Sequence, residues 1–243
     1  MKNKILAIIP CRSGSKGVKN KNIRKIFGKP LIYYSIFFAL QCKFIDRVIV
    51  STDSKKYKKI SENFGAEVPF LRPKNISKDD SLDIDLFKHT INWLKKNENY
   101  EPNLIVHLRP TSPLRKIKTL KKMINILLQN KTFCSVRSLS SLNKSPYKLW
   151  SIMKNNLIKP ILKNDTKYKE PYNAPRQKLP NFYVQNSTYD VFRTKIIKKN
   201  LISGKKIYGV LTNDLIDLDT MEDFNKLKEF KRKFKFFKKH IHN

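Results

Sequence analysis

Short apolar runs alternate with longer amphipathic segments along this chain. ILAII at residues 5–9 is continuously apolar and precedes a Gly-containing loop, the pattern of a strand buried on both faces. LIYYSIFFAL at 31–40 follows Pro30, a residue suited to a first helical position, and predicts a buried helix over 30–42. RVIV at 47–50 predicts a second strand, with Ser51, Thr52 and Asp53 as the cap of a helix over 54–64 that Gly65 ends. Residues 67–71 read as a short strand. Residues 81–96 read as an amphipathic helix whose Asp-rich first turn complements the helix dipole. LIVHL at 104–108 predicts a third core strand, 117–129 a helix and 133–137 another strand. The pattern loosens over 138–180, rich in Lys, Asn, Pro and Ser, where a hairpin is expected around 150–162. Strand character returns at 189–193 and 207–211, and a final helix opens over 221–230. Such alternation predicts a three-layer α/β/α fold around a mostly parallel, mixed sheet. Ligands of such sheets bind at the carboxyl ends of the strands. No internal repeat interrupts the pattern, so a single domain is expected over 1–243, with an excursion at about 138–180 and a basic C-terminal helix and tail over 225–243.

Length and composition agree with that reading. The 243 residues, 40% hydrophobic, can bury one sizeable α/β core. No apolar run reaches the roughly 20 residues needed to span a bilayer, so no membrane insertion is expected. The first apolar run ends in Pro10, Cys11 and Arg12 without a small-residue cleavage site, which argues against a signal peptide. Cys11, Cys42 and Cys134 lack metal-ligand spacing and are odd in number, as expected of reduced thiols in a cytoplasmic protein. The net charge of +33, from 52 Lys and Arg against 19 Asp and Glu, opens the alternative of a nucleic-acid-binding protein. Most of that charge is scattered Lys on expected helix faces, in a chain also rich in Asn and Ile, and reads as coding bias; no nucleic-acid partner is expected. The dense basic cluster is KRKFKFFKK at 231–239.

Chemistry concentrates in RSGSKG at 12–17, directly after the first strand. Gly14 and Gly17 permit the backbone to bend and to approach a ligand closely, and successive N–H groups of such a turn form an anion-binding nest. Ser13 and Ser15 add donors, and Arg12, Lys16 and Lys21 add fixed positive charge suited to a triphosphate. The loop lacks the Walker A pattern and the dinucleotide fingerprint. An ordinary Gly/Ser turn remains the plain alternative.

The segment IIPCRSGSKGVKNKNI followed by GKPLI resembles the N-terminal signature of the acylneuraminate cytidylyltransferases, the CMP-sialic acid synthetase family. VSTD at 50–53, Arg72-Pro73 with Asp80-Ser81, LRPTSPLR at 108–115, and DLDT at 217–220 with Asp223-Phe224 resemble further landmarks of that family, in its order. The resemblance spans about 5–224. It implies a nucleotide-diphospho-sugar transferase-like fold and transfer of CMP from CTP to a nine-carbon acidic sugar, with release of pyrophosphate and dependence on Mg²⁺. Under it, Arg12, Lys16 and Lys21 hold phosphates, Asn22 reads the base, and Arg72 and Ser81 complete the nucleotide pocket. Asp217 and Asp219, two apart after a strand, are the metal candidates, since hard carboxylate oxygens suit Mg²⁺; a helix cap at Asp219 and Thr220 is the plain alternative. The excursion at 138–180 resembles a dimerisation arm and implies a homodimer.

Two departures touch the sugar. Arg109 stands where the family commonly carries Gln, and a guanidinium recognises carboxylate or phosphate more readily than an amide does. Ser187 replaces a Gly after Gln185 and Asn186. Arg109, Thr111, Ser112, Arg176, Gln185, Asn186 and Tyr189 are the sugar-side candidates. Arg109 keeps open an enzyme of the same fold that uses another nucleotide or a sugar phosphate.

Overall fold

A computed structural model describes residues 3–142, 144–162, 166–212 and 217–227. Its elements are β1 (Ile5–Pro10), β2 (Lys25–Ile26), β3 (Lys29–Pro30), α1 (Leu31–Gln41), β4 (Arg47–Ser51), α2 (Lys55–Asn63), α3 (Asp83–Glu98), β5 (Leu104–His107), α4 (Ile117–Gln129) and β6 (Ser135–Ser141). They continue with β7 (Trp150–Ile152), β8 (Ile158–Pro160), β9 (Tyr183–Arg193), α5 (Thr194–Ile197), β10 (Ile207–Leu211) and α6 (Met221–Lys226).

The central sheet has the order β10-β6-β9-β5-β1-β4. Its pairings are parallel except those of β9, which runs antiparallel to both β5 and β6. Alternation along the strands sends side chains to two cores. Ile5, Ala7, Ile9, Val48, Val50, Leu104, Val106 and Val191 pack with α1 and α4. Leu6, Ile8, Ile49, Ile105 and Phe192 pack with Phe87, Ile91 and Leu94 of α3. Both faces are covered, which is why the strands read as unbroken apolar runs.

The expected elements differ from the observed ones in instructive places. Residues 67–71 do not form a strand: only Ile49 and Glu67 bridge, through Glu67 N–H to the Val48 carbonyl and Val50 N–H to the Glu67 carbonyl. The cap of α2 is Ser54, whose hydroxyl accepts from Tyr57 N–H, and not the Ser51–Asp53 cluster. Strand β9 begins at Tyr183, six residues earlier than its apolar run, because its first half pairs with β6 past a bulge between Arg137 and Leu139. The hairpin is present as β7 and β8, and beside it Tyr147, Ala174 and Leu179 form a small core of their own. The last helix is described over Met221–Lys226; the basic cluster at 231–239 lies outside the described residues.

His107 ends β5 fully buried, edge-on to Phe87 at 5.0 Å, with no hydrogen bond at either ring nitrogen. Burial first, and then the positive charges of Arg109, Arg115 and Arg137, hold its pKa well below the ordinary value. The unfolded chain therefore takes up a proton as pH falls through about 6.5 while the folded chain does not. Stability conferred by neutral His107 is full above that pH and declines below it, by up to about 1.4 kcal/mol per pH unit. Thermal melts of His107→Gln between pH 7.5 and 5 are expected to show a shallower decline than those of the natural chain.

Candidate active site

The loops that follow β1 and β5, the 72–83 segment and residues 217–219 surround one cleft of about 460 Å³. It lies at the carboxyl ends of the central parallel strands, where chain direction leaves room for a ligand. Eleven of the expected residues line it: Arg12, Ser15, Lys16, Lys21, Asn22, Arg72, Ser81, Arg109, Thr111, Asp217 and Asp219.

At one end the 12–17 loop is tied down by acidic partners. Asp53, at the end of β4, accepts from Ser13 N–H at 2.8 Å and from its hydroxyl at 2.9 Å. Ser13 is thereby spent on the loop itself. Arg12 donates to the Gly14 carbonyl and contacts Asp79 at 2.5 Å, while Lys16 reaches the other Asp79 oxygen at 2.9 Å. Neither Gly14 nor Gly17 has a positive φ. The close approach at Gly17 is to protein, since a Cβ there would sit 3.1 Å from the Asp219 carbonyl oxygen. Asn22 is buried, and its amide donates to the Arg12 carbonyl at 3.1 Å. Arg72 is buried, donates to the Ser51 carbonyl at 2.7 Å and keeps an unpartnered Nε. Burial lowers its pKa and the neighbouring Asp53 opposes that shift.

At the other end an ion network crosses the cleft wall. Arg109 donates to Asp190 on β9 at 2.8 Å and to Asp83 at the start of α3 at 2.9 Å. Asp190 is buried, and Arg137 lies 3.4 Å from its second oxygen. Burial raises the Asp190 pKa while Arg109 and Arg137 pull it down. Arg109 thus lines the cleft with its guanidinium shared between two carboxylates of the chain. Buried Arg115 braces the same loop, donating to the Thr188 carbonyl, the Ser35 hydroxyl and the Arg109 carbonyl.

Asp217 and Asp219 line the cleft beside the 12–21 segment. Asp219 pairs with Lys21 at 2.6 Å, and Leu218 N–H bonds the Thr111 carbonyl at 2.9 Å, fixing the segment beside the 110–111 loop. Desolvation, then the charge of Asp219, raises the Asp217 pKa; a hydrogen bond from Thr111 and the charge of Lys21 oppose this. The cap of α6 is Thr220, in a reciprocal capping box with Asp223, so Asp219 is not the cap.

Other expected residues lie away from the cleft. Gly14 does not line it. Ser112 is buried, its hydroxyl unpartnered. Arg176 borders a separate hollow of about 190 Å³ with Ser145 and Tyr183. Gln185 bonds Arg137, and Asn186 is consumed by Ser138, Ser140 and Thr212; the neighbouring Ser187, at φ 57°, reaches the cleft instead. Tyr189 sits in the core, its hydroxyl accepting from Lys116 N–H at 2.6 Å. Sequence reasoning missed Asp79, Asp83 and Asp190, which balance the cleft's cations. Only the expected helix start near Asp83 hinted at any of them.

A family model described as cytidylyltransferase matches residues 6–241. The chain is 33% identical over 227 residues to a CMP-N,N'-diacetyllegionaminic acid synthase of Legionella pneumophila, covering 91% of this chain and 93% of that one. It is 29% identical to a pseudaminic acid cytidylyltransferase of Campylobacter jejuni, covering 92% and 93%. A solved CMP:2-keto-3-deoxy-manno-octonic acid synthetase complexed with CTP has the same fold, with a TM-score of 0.67 at 14% identity over 96% of this chain and all of that one.

Tyr189→Phe removes a buried hydroxyl and leaves the Lys116 amide without its acceptor. It is expected to lower unfolding stability by about 1–2 kcal/mol, measured by denaturant titration, with no change in KM for any substrate.

Proposed function

We propose a reaction on one premise: the chain belongs to the cytidylyltransferase family. It joins CTP to an acidic sugar of the sialic-acid type, giving a CMP-sugar and pyrophosphate. The observation that carries this reading is the convergence of Arg12, Lys16, Lys21 and Arg72 on one cleft together with the carboxylates of Asp217 and Asp219. The names of the relatives, which act on legionaminic and pseudaminic acids, support the class of sugar.

The cations Arg12, Lys16 and Lys21 neutralise the phosphates and stabilise the charge that gathers on departing pyrophosphate. Asn22 retains its amide oxygen for the base. Holding the sugar hydroxyl in line with the α-phosphorus does most of the catalytic work, since no covalent nucleophile is required. Arg109 stiffens the acceptor end through Asp83 and Asp190, which weakens the reason to favour a sugar phosphate.

Asp217 and Asp219 fit a hard dication such as Mg²⁺: two neighbouring carboxylates, one already unfavourably charged beside the other, are the donors such an ion prefers. When bound there, the ion supplies charge neutralisation to the phosphates. Three free cysteines are compatible with a reducing, cytoplasmic setting. Among the described residues no helix is long and apolar enough to cross a membrane. A homodimer through the 138–180 arm is supported by the exposed apolar side chains of Ile152, Leu157, Ile158 and Ile161 on or beside its hairpin.

Pyrophosphate release is expected with CTP and a nonulosonate and not with ATP, GTP or UTP; no CTP dependence with any nonulosonate overturns the reading. Asp219→Asn is expected to lose metal-dependent turnover while melting like the natural chain. Ile152→Lys with Ile158→Lys is expected to halve the mass seen by sedimentation equilibrium.

A further inference from the structure

The segment between Arg72 and α3 crosses the phosphate end of the cleft. From it Asp79 sends one carboxylate oxygen to Arg12 Nη2 at 2.5 Å and the other to Lys16 Nζ at 2.9 Å. A single carboxylate thus joins the two cations of the 12–17 loop that a polyphosphate would need, in the two-oxygen fashion of a phosphate group. Lys16 is largely exposed, its side chain 83% accessible, and among the described residues its ion pair is with Asp79. The Asp79 carboxyl is held below the usual carboxylate range, first by its bond to Lys16, and is ionised at neutral pH.

We infer that Asp79 is a positioning residue for nucleotide recognition: it keeps Arg12 and Lys16 together as a ready anion seat and yields that seat to the polyphosphate of the incoming nucleotide. The inference rests on reading the cleft as a nucleotide site. It deepens that reading by adding a competitor built into the chain.

Three physical points favour exchange over a permanent brace. Exposed ion pairs are individually weak and screened by salt, so the bridge opens readily. A triphosphate carries several negative charges where Asp79 carries one, so it wins when present. Once pyrophosphate departs, the tethered carboxylate re-enters at high local concentration and opposes rebinding. The apparent nucleotide affinity is therefore the intrinsic affinity reduced by the fraction of chains in which the seat is open. Contrast Asp53 beside it, whose two bonds go to the Ser13 amide and hydroxyl and hold the loop without touching its cations.

Inorganic triphosphate is the probe, because it carries the polyphosphate without base or sugar. Calorimetric titration of the full chain at low salt is expected to show Asp79→Asn binding triphosphate more tightly by about two- to tenfold. Asp80→Asn removes the same charge from the neighbouring residue and is expected to gain less. In a Lys16→Ala background the gain from Asp79→Asn is expected to shrink, since half of the bridge is already gone. Unchanged or weaker binding by Asp79→Asn overturns the exchange, as does absence of triphosphate binding in every variant. Tighter triphosphate binding without CTP-dependent pyrophosphate release would keep the seat and discard the cytidylyl reading. The reverse pair of results would discard the seat alone.

Discussion

A carboxylate taken out of water must find a cation, and Asp190 imposes that demand at the centre of the sheet. It lies on the reversed strand β9, in register with His107 of β5 on one side and Arg137 of β6 on the other. Arg137 reaches one oxygen and Arg109, from the loop after β5, reaches the other. Arg109 is thereby drawn across the cleft wall, where its remaining arm meets Asp83 and ties the first turn of α3 to the sheet. Burial first, and then the same arginines, keep His107 neutral beneath them. The acceptor end of the cleft thus inherits its shape from a charge problem set in the core.

The phosphate end solves the opposite problem. There Lys16 is exposed, Arg12 and Lys21 are part-buried, and nearby carboxylates offset the mutual repulsion of the three cations. Asp79 bridges Arg12 and Lys16, and Asp219 pairs with Lys21. Breaking a pair with Asp190 strands a buried charge, whereas Asp79 and Asp219 can return to water, so their pairs cost less to open. The contrast between the ends lies in the carboxylates: Asp190 is buried, whereas Asp79 and Asp219 are open to water.

Much of the fold was legible in the sequence because a sheet covered on both faces writes its strands as continuous apolar runs. Residues 5–9 and 104–108 are of that kind, while the apolar run at 207–211 forms a largely exposed edge strand. Helix α4 was found at its true bounds, since its amphipathic period is strong and its flanks are polar. The first half of β9 was not legible: QNSTY carries no apolar run, and its pairing with β6 depends on a bulge that only the partner strand imposes. The 67–71 segment failed for the converse reason, being apolar enough for a strand but pairing through one bridge. In the site, the cations were legible because they cluster in one loop after a strand. Their acidic partners were not, since Asp79 and Asp190 come from distant parts of the chain and carry no local pattern. Tyr189 misled because a tyrosine beside polar neighbours looks like a ligand contact, while its hydroxyl in fact satisfies a buried backbone amide.

That distribution of acids also bears on how the charge around the cleft is read. With 52 basic residues against 19 acidic ones, most cations must face solvent or one another. Around the cleft, however, Arg12, Lys16, Lys21 and Arg109 each meet an aspartate of the chain. A surface built to track a nucleic-acid backbone gains affinity from unneutralised cations spread along a face. Here scarce carboxylates are gathered where cations converge, so the local field is set pair by pair. A small polyanion can displace the exposed partners and leave the buried ones undisturbed. The charge within the cleft is therefore balanced locally, whatever the net charge of +33 of the whole chain.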